Sequence, residues 1–249
     1  MLQLDDEVRS QEGDREARVG GLVCYSDDNR LHVIVPAFVL PGRITTGAGD
    51  ISLRDAVGDR GYDSALGDYR SVTYALTFAT VPERVEIDDR ASDWSHKGVA
   101  AVGNLVGGRV KMGEGVWGRV RLIDSPLWLA RGEEPPKGFY GAMEIVPERK
   151  AGRWVSSRDA GSPLFTEDDL LVGFIVAADE TTCMVAPAER FFAERKAVMA
   201  SASEITLHNE AIRNRPLRQV GTMLADLSAF GAKIARSSAT FGRAAEAAR

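Results

Sequence analysis

The stretch that most restricts what this chain can fold into runs from Ser156 to Ala178 and reads S-S-R-D-A-G-S-P-L-F-T-E-D-D-L-L-V-G-F-I-V-A-A. Asp159-Ala160-Gly161-Ser162-Pro163 has the composition of a turn. Two short apolar runs follow, Leu164-Phe165 and Leu171-Val172-Gly173-Phe174-Ile175, separated by Glu167-Asp168-Asp169. Short apolar runs bounded by turn residues predict a loop that feeds a pair of antiparallel strands.

The same pattern recurs along the chain. Val19–Tyr25 and Leu31–Val35 read as strands joined by the turn residues 27–30. Residues 43–67, rich in Gly and Asp, read as a long surface loop. Val72–Ala79 has the β-branched and aromatic content of a strand, and Val85–Asp88 reads as a shorter one. Glycines punctuate Val110–Val120 as in a hairpin, Phe139–Ile145 is a further strand, and Ala188–Ala200 reads as a helix. Many short strands with turns between them predict an all-β architecture of paired antiparallel barrels. The polar, acidic residues 1–17 read as a flexible leader, 18–201 as the barrel domain, and 202–249 as a C-terminal helical extension.

Three segments resemble the trypsin/chymotrypsin-like serine peptidases, and the likeness covers roughly residues 17–200. Asp159, Gly161, Ser162 and Pro163, with the strands after them, are similar to that family's nucleophile loop. Pro36-Ala37-Phe38-Val39-Leu40 is similar to the segment that carries the general base, and Gly98-Val99-Ala100-Ala101 to the segment that begins with the orienting carboxylate. The resemblance implies a chymotrypsin-like double antiparallel β-barrel, and it sets Ala160 at the nucleophile, Phe38 at the base and Gly98 at the acid, with a short-loop shift bringing Asp93 near the site as the alternative for the acid. That chemistry needs a hydroxyl, a base to deprotonate it and a carboxylate to orient the base. A methyl group, a phenyl ring and a hydrogen atom perform none of these roles. Arg158 stands where the family has a glycine beside its oxyanion-binding amides, which puts that site in question too. The expectation is a catalytically inactive pseudopeptidase that binds or regulates a protein partner. Degenerate domains of this kind occur in bacterial multi-protein systems, defence systems among them. The alternatives are an active endopeptidase carrying a Ser→Ala substitution at residue 160, and a self-associating scaffold.

Nothing else in the sequence restores the missing chemistry. Ser162 lies two residues past the nucleophile position and reads as a packing residue. His96, His32 and His208 have no visible catalytic partner, and Cys24 and Cys183 sit in apolar strand contexts that read as core. Two cysteines cannot make a disulfide framework, so free thiols in a reducing cytoplasm are expected. No Cys/His spacing fits a metal, no glycine pattern fits a nucleotide, and the acidic clusters at 27–28, 88–89 and 167–169 read as turns. No cofactor is expected. No basic leader or long apolar run points to export or a membrane.

The tail is different in kind. Leu217, Val220, Leu224, Leu227, Gly231, Ile234, Ser238, Phe241 and Ala245 recur at alternating three–four spacing, which is the seam of a coiled coil. Such a helix must lay its stripe on a partner, on a copy of itself or on its own barrel. Leu217, Val220, Leu224, Leu227, Ile234 and Phe241 are therefore the candidate partner-binding residues. The formal charge of the whole chain is −5. Arg213, Arg215 and Arg218, without interleaved aromatics, do not make a nucleic-acid site.

Overall fold

A computed structural model of the chain describes residues 1–11, 13–25, 28–46, 49–53, 69–88, 97–112, 115–131, 134–148 and 154–214. Strands β1 (Glu7–Ser10), β2 (Glu16–Arg18), β3 (Gly21–Tyr25), β4 (Asp28–Pro36), β5 (Gly42–Thr46), β6 (Gly49–Leu53), β7 (Tyr69–Ser71) and β8 (Leu76–Thr80) come first. The first barrel is made from two four-stranded sheets. One has the order β2-β1-β5-β6, and the other sets β3, β4 and β8 side by side. The period-two alternation of a strand decides which residues face which core. On β4, Leu31, Val33 and Val35 meet Val8, Ala17, Ile44 and Leu53 inside this barrel. Ile34, between them, points the other way and packs with Val23 and Phe78.

The second barrel is closed. Strands β9 (Arg109–Lys111), β10 (Trp117–Arg131), β11 (Glu134–Pro147), β12 (Pro163–Thr166), β13 (Leu171–Ala178) and β14 (Cys183–Pro187) run in the order β10-β9-β12-β13-β14-β11, and β10 pairs back onto β11. Closure leaves no unpaired edge around the ring itself. Val110, Val120, Met143, Ile145, Leu164, Val172, Ile175 and Val185 fill the interior. The outward face of β13 supplies Phe174 and Val176 to a shared seam with the first barrel's Val23, Ile34 and Phe78.

Helix α1 (Ala188–Arg195) closes that seam with Phe191, which is fully buried. The Phe191 ring lies 5.3 Å from Phe78 and 5.5 Å from Phe174, centroid to centroid. Each such tilted pair contributes about 0.5–1.5 kcal/mol beyond area burial. The buried Arg195 stacks its guanidinium on Tyr74 at 4.7 Å and on Phe78 at 5.4 Å. Lys196 then takes a left-handed conformation, φ 49°, and turns the chain into β15 (Ala197–Met199), which pairs with β3.

Residues 202–214 are helical. Ser201 and Glu204 cap the start reciprocally: Ser201 N–H donates to Glu204 Oε2 at 2.6 Å, and Glu204 N–H donates to Ser201 Oγ at 3.3 Å. Ile205 is buried in the first barrel's core. The chain divides into two units, Met1–His208 and Asn209–Arg249, and in the second only the helical residues 209–214 are described. The seam residues Leu217, Val220, Leu224, Leu227, Ile234 and Phe241 lie outside the described residues.

Several local expectations are corrected. Residues 1–17 are not a loose leader, because β1 pairs with β5 on one side and with β2 on the other, and Leu2, Val8 and Ala17 are core residues. The stretch from Arg43 contains β5 and β6 rather than only loop. Residues 72–75 form a 3-10 turn, so the strand begins only at Leu76, and among the described residues the sole pairing at Val85–Asp88 is an isolated bridge from Ile87 to Leu2. The helix from Ala188 ends at Arg195 because the chain must reverse to reach β3. Replacing Val8 by Ala is expected to cost about 1–3 kcal/mol of stability in denaturant unfolding, since it deletes two buried methyl groups. A flexible leader would leave the unfolding curve unmoved.

Candidate functional site

The turn at 156–162 is built from its own backbone outward. Ser156 N–H and Ser156 Oγ both bond Asp159 Oδ2, at 2.7 and 3.0 Å, and this fixes the 3-10 turn Ser157–Asp159. The N–H of Ala160 donates to Ser157 O at 3.3 Å. It is thus drawn into the turn. The methyl of Ala160 is only 1% exposed.

Gly161 explains why the turn lies where it does. Its φ is +100°, and a Cβ on it would overlap Arg18 O and stand 3.0 Å from Pro36 Cδ. Its N–H reaches Ile175 O of β13 at 2.7 Å, and Ile175 N–H returns to Ser162 O at 3.0 Å. Gly20 makes the reciprocal close approach, since a Cβ there would lie 2.5 Å from Gly161 O. Ala160 O accepts from Arg18 N–H at 2.7 Å. The Gly20-Gly21 pair at the entrance to a strand was the sequence signal for this backbone-to-backbone contact.

Phe38 belongs to the same corner. It lies in the 3-10 turn Ala37–Val39 directly after Pro36, with its ring packed against the first barrel's core. Its carbonyl accepts from Arg15 Nη1 at 3.4 Å. The structure therefore brings the turns of Phe38 and Ala160 together. It does not bring Gly98 to them. Gly98 O accepts from Leu171 N–H at 3.0 Å, and Val99 bridges the same residue of β13. Leu171 lies four residues along the strand from Ile175, roughly 13 Å away at about 3.3 Å per residue. A carboxylate that orients a base must lie within hydrogen-bonding reach of it. The segment beside Phe38's turn is instead 72–76, since Pro36 pairs with Leu76. Its residues Val72, Thr73, Tyr74, Ala75 and Leu76 include no carboxylate. Thr73 is fully buried, and its hydroxyl lies 2.6 Å from Glu194 Oε2.

The remaining candidates have structural duties. Ser162 Oγ donates to Asp5 Oδ1 at 2.6 Å. His32 is buried on β4, and a ring nitrogen of His208 lies 2.9 Å from Val85 O. His96, Asp93, Asp27 and Asp89 lie outside the described residues. Cys183 is fully buried and Cys24 is buried too; neither is in a disulfide, and burial pushes the Cys183 thiol well above its usual range. Of the acidic run, Glu167 pairs with Arg109, and Asp169 with Lys111 at 2.7 Å and Lys97 at 2.6 Å. Hydrogen bonds from Lys111 first and Lys97 second hold the Asp169 carboxyl down at about 2. Among the described residues no three His, Cys, Asp or Glu side chains gather as a metal site would require, and no helix is long and apolar enough to cross a membrane.

The described geometry is similar to solved serine proteases. Thermobifida fusca protease A superposes with a TM-score of 0.54 at 10% identity, covering 80% of this chain and 98% of that one. An alpha-lytic protease homologue, N4, gives 0.54 at 14% identity over 80% and 99% of the two chains. Cellulomonas bogoriensis chymotrypsin gives 0.51 at 11% identity over 80% and 98%. No family model and no curated protein matches the sequence. The fold is thus chymotrypsin-like, mostly β, with helix following it at residues 202–214.

Two measurements test this geometry. Gly161→Ala is expected to destabilise the chain by more than about 2 kcal/mol, because it forces a side chain into positive φ and into a backbone oxygen. The depressed Asp169 carboxyl contributes stability that is present above its ordinary 3.8 and lost as pH falls toward about 2. Carboxyl-resolved NMR is expected to place its midpoint near 2. Lys111→Ala combined with Lys97→Ala returns it toward 3.8.

Proposed function

We propose that this chymotrypsin-like chain is a non-catalytic pseudopeptidase that binds a polypeptide partner. The observation that carries the reading is the state of the Ala160 turn. A buried methyl stands at the position aligned with a nucleophile, its own amide is closed into a 3-10 turn, and the neighbouring turn presents a phenyl ring. Acyl transfer needs a nucleophile, a base and open oxyanion donors, and each is missing by a separate cause.

A binding role is supported by the edge of β13. Its pairing with β12 ends at Pro163 opposite Phe174, whereas its pairing with β14 continues to Ala178 opposite Cys183. On the β12 side of Val176–Ala178 no described strand is paired. An extended peptide can add there as one more strand, held by main-chain hydrogen bonds. The site begins where the Ala160 turn is tied to Ile175. The tail seam Leu217–Phe241 is the second surface for a protein partner.

The natural chain is expected to resist labelling by a fluorophosphonate probe, and Ala160→Ser alone is expected to remain unlabelled and without proteolytic activity. Labelling of the unaltered chain, mapped to Ser162 by peptide mass analysis, would refute the reading. Recovery of proteolysis by Ala160→Ser would refute it as well and would identify an endopeptidase silenced by one substitution. A chain ending at Asn214 keeps Ile205 and the His208 contact, so comparison with the full chain assigns a captured intact partner to the barrel or to the tail.

A further inference from the structure

The β1–β2 hairpin and the residues before it touch both turns of the corner, although nothing in the peptidase resemblance calls on them. Asp5 accepts the Ser162 hydroxyl at 2.6 Å. Glu16 pairs with Arg158 at 3.1 Å, on the side of the turn that closes over the Ala160 amide. Arg18 N–H holds Ala160 O at 2.7 Å. On the base-position side, Arg15 Nη1 donates to Phe38 O at 3.4 Å and Gln11 N–H to Pro41 O at 2.9 Å. The segment is itself anchored. Asp5 N–H bonds Val19 O at 3.0 Å, Arg18 Nη1 bonds Asp5 O at 3.1 Å, and the fully buried Val8 and Ala17 root the hairpin in the first barrel.

We propose that residues 5–18 are a strap that holds the 156–162 turn in its closed form, and that loosening it is what turns the loop's amides outward toward a polypeptide carbonyl. This builds on the non-catalytic reading and gives it a switch. The contacts divide into a fixed part and a releasable part. The Arg18–Ala160 backbone bond is made by the strand itself. The Asp5–Ser162 and Glu16–Arg158 ties are side-chain contacts at a surface where Arg158 is 76% exposed. Exposed ties of this kind are each weak, so the closed turn lies within reach of a partner that offers the loop better bonds.

The test is amide hydrogen exchange on the full chain. Arg158→Ala with Ser162→Ala cuts the two ties from the loop side. Asp5→Ala with Glu16→Ala cuts the same two from the strap side and leaves the loop sequence intact. Both pairs are expected to speed exchange at residues 158–162 by about tenfold while leaving the amides of β13 other than Ile175, which donates to Ser162 O, unchanged. Loop exchange that stays within about twofold of the natural chain in either pair overturns the strap. So does a change confined to the loop-side pair, which would be a local effect of the substitutions. Fluorophosphonate labelling of the unaltered chain would instead overturn the non-catalytic reading without touching the exchange comparison, so the two failures are told apart.

Discussion

Everything at the corner depends on one close approach of main chain to main chain. Gly161 sits against Arg18 O and Pro36 on one side and hydrogen-bonds Ile175 of β13 on the other. There is no room for a side chain. Because its backbone runs through that gap at positive φ, the residues on either side are set: Ala160 is pressed beneath the surface and Ser162 is turned toward Asp5. The gap also joins the two barrels, since Arg18 and Pro36 belong to the first and Ile175 to the second. A side chain at 161 would part them or break the turn.

The corner belongs to a chymotrypsin-like fold, with a methyl at Ala160 in one turn and a phenyl ring at Phe38 in the neighbouring one. On the non-catalytic reading proposed above, the methyl, the phenyl ring and the closed amide are three separate obstacles to acyl transfer, and a single substitution removes only one. The retained parts are those that hold position: the capping of the turn by Ser156 and Asp159, the glycine, and the tie to β13. On the β12 side of Val176–Ala178 no described strand is paired, and on the proposed reading that edge is where an extended chain adds through main-chain hydrogen bonds.

Much of this was legible in the sequence, for physical reasons that can be named. Asp159–Pro163 followed by two apolar runs is a dense signal, because turn chemistry and strand alternation meet within a few residues. The β3–β4 hairpin was legible for the same reason. The first strands were not. Val8 and Ala17 are their only buried apolar residues, set among acids and arginines on strands of four and three residues. Gly98 was misplaced because Val99-Ala100-Ala101 has the apolar character of a strand, although it makes only a bridge to Leu171. The segment beside Phe38, residues 72–76, hides behind a 3-10 turn that composition alone does not separate from the strand after it. The strap contacts were invisible for a different reason. Those to the 156–162 turn join residues about 150 apart, such as Asp5 and Ser162, and no local pattern encodes that distance.

The pairing of β15 with β3 has a consequence for how the molecule comes into being. Val198 lies opposite Cys24, so a sheet of the first barrel is finished by residues that follow the entire second barrel in the chain. Contacts so remote in sequence form late, because the intervening chain must be ordered before its ends can meet. During synthesis the outer edge of β3 therefore waits, uncovered, until residues near 200 have emerged. The first barrel is the earlier half in sequence and the later one to be completed.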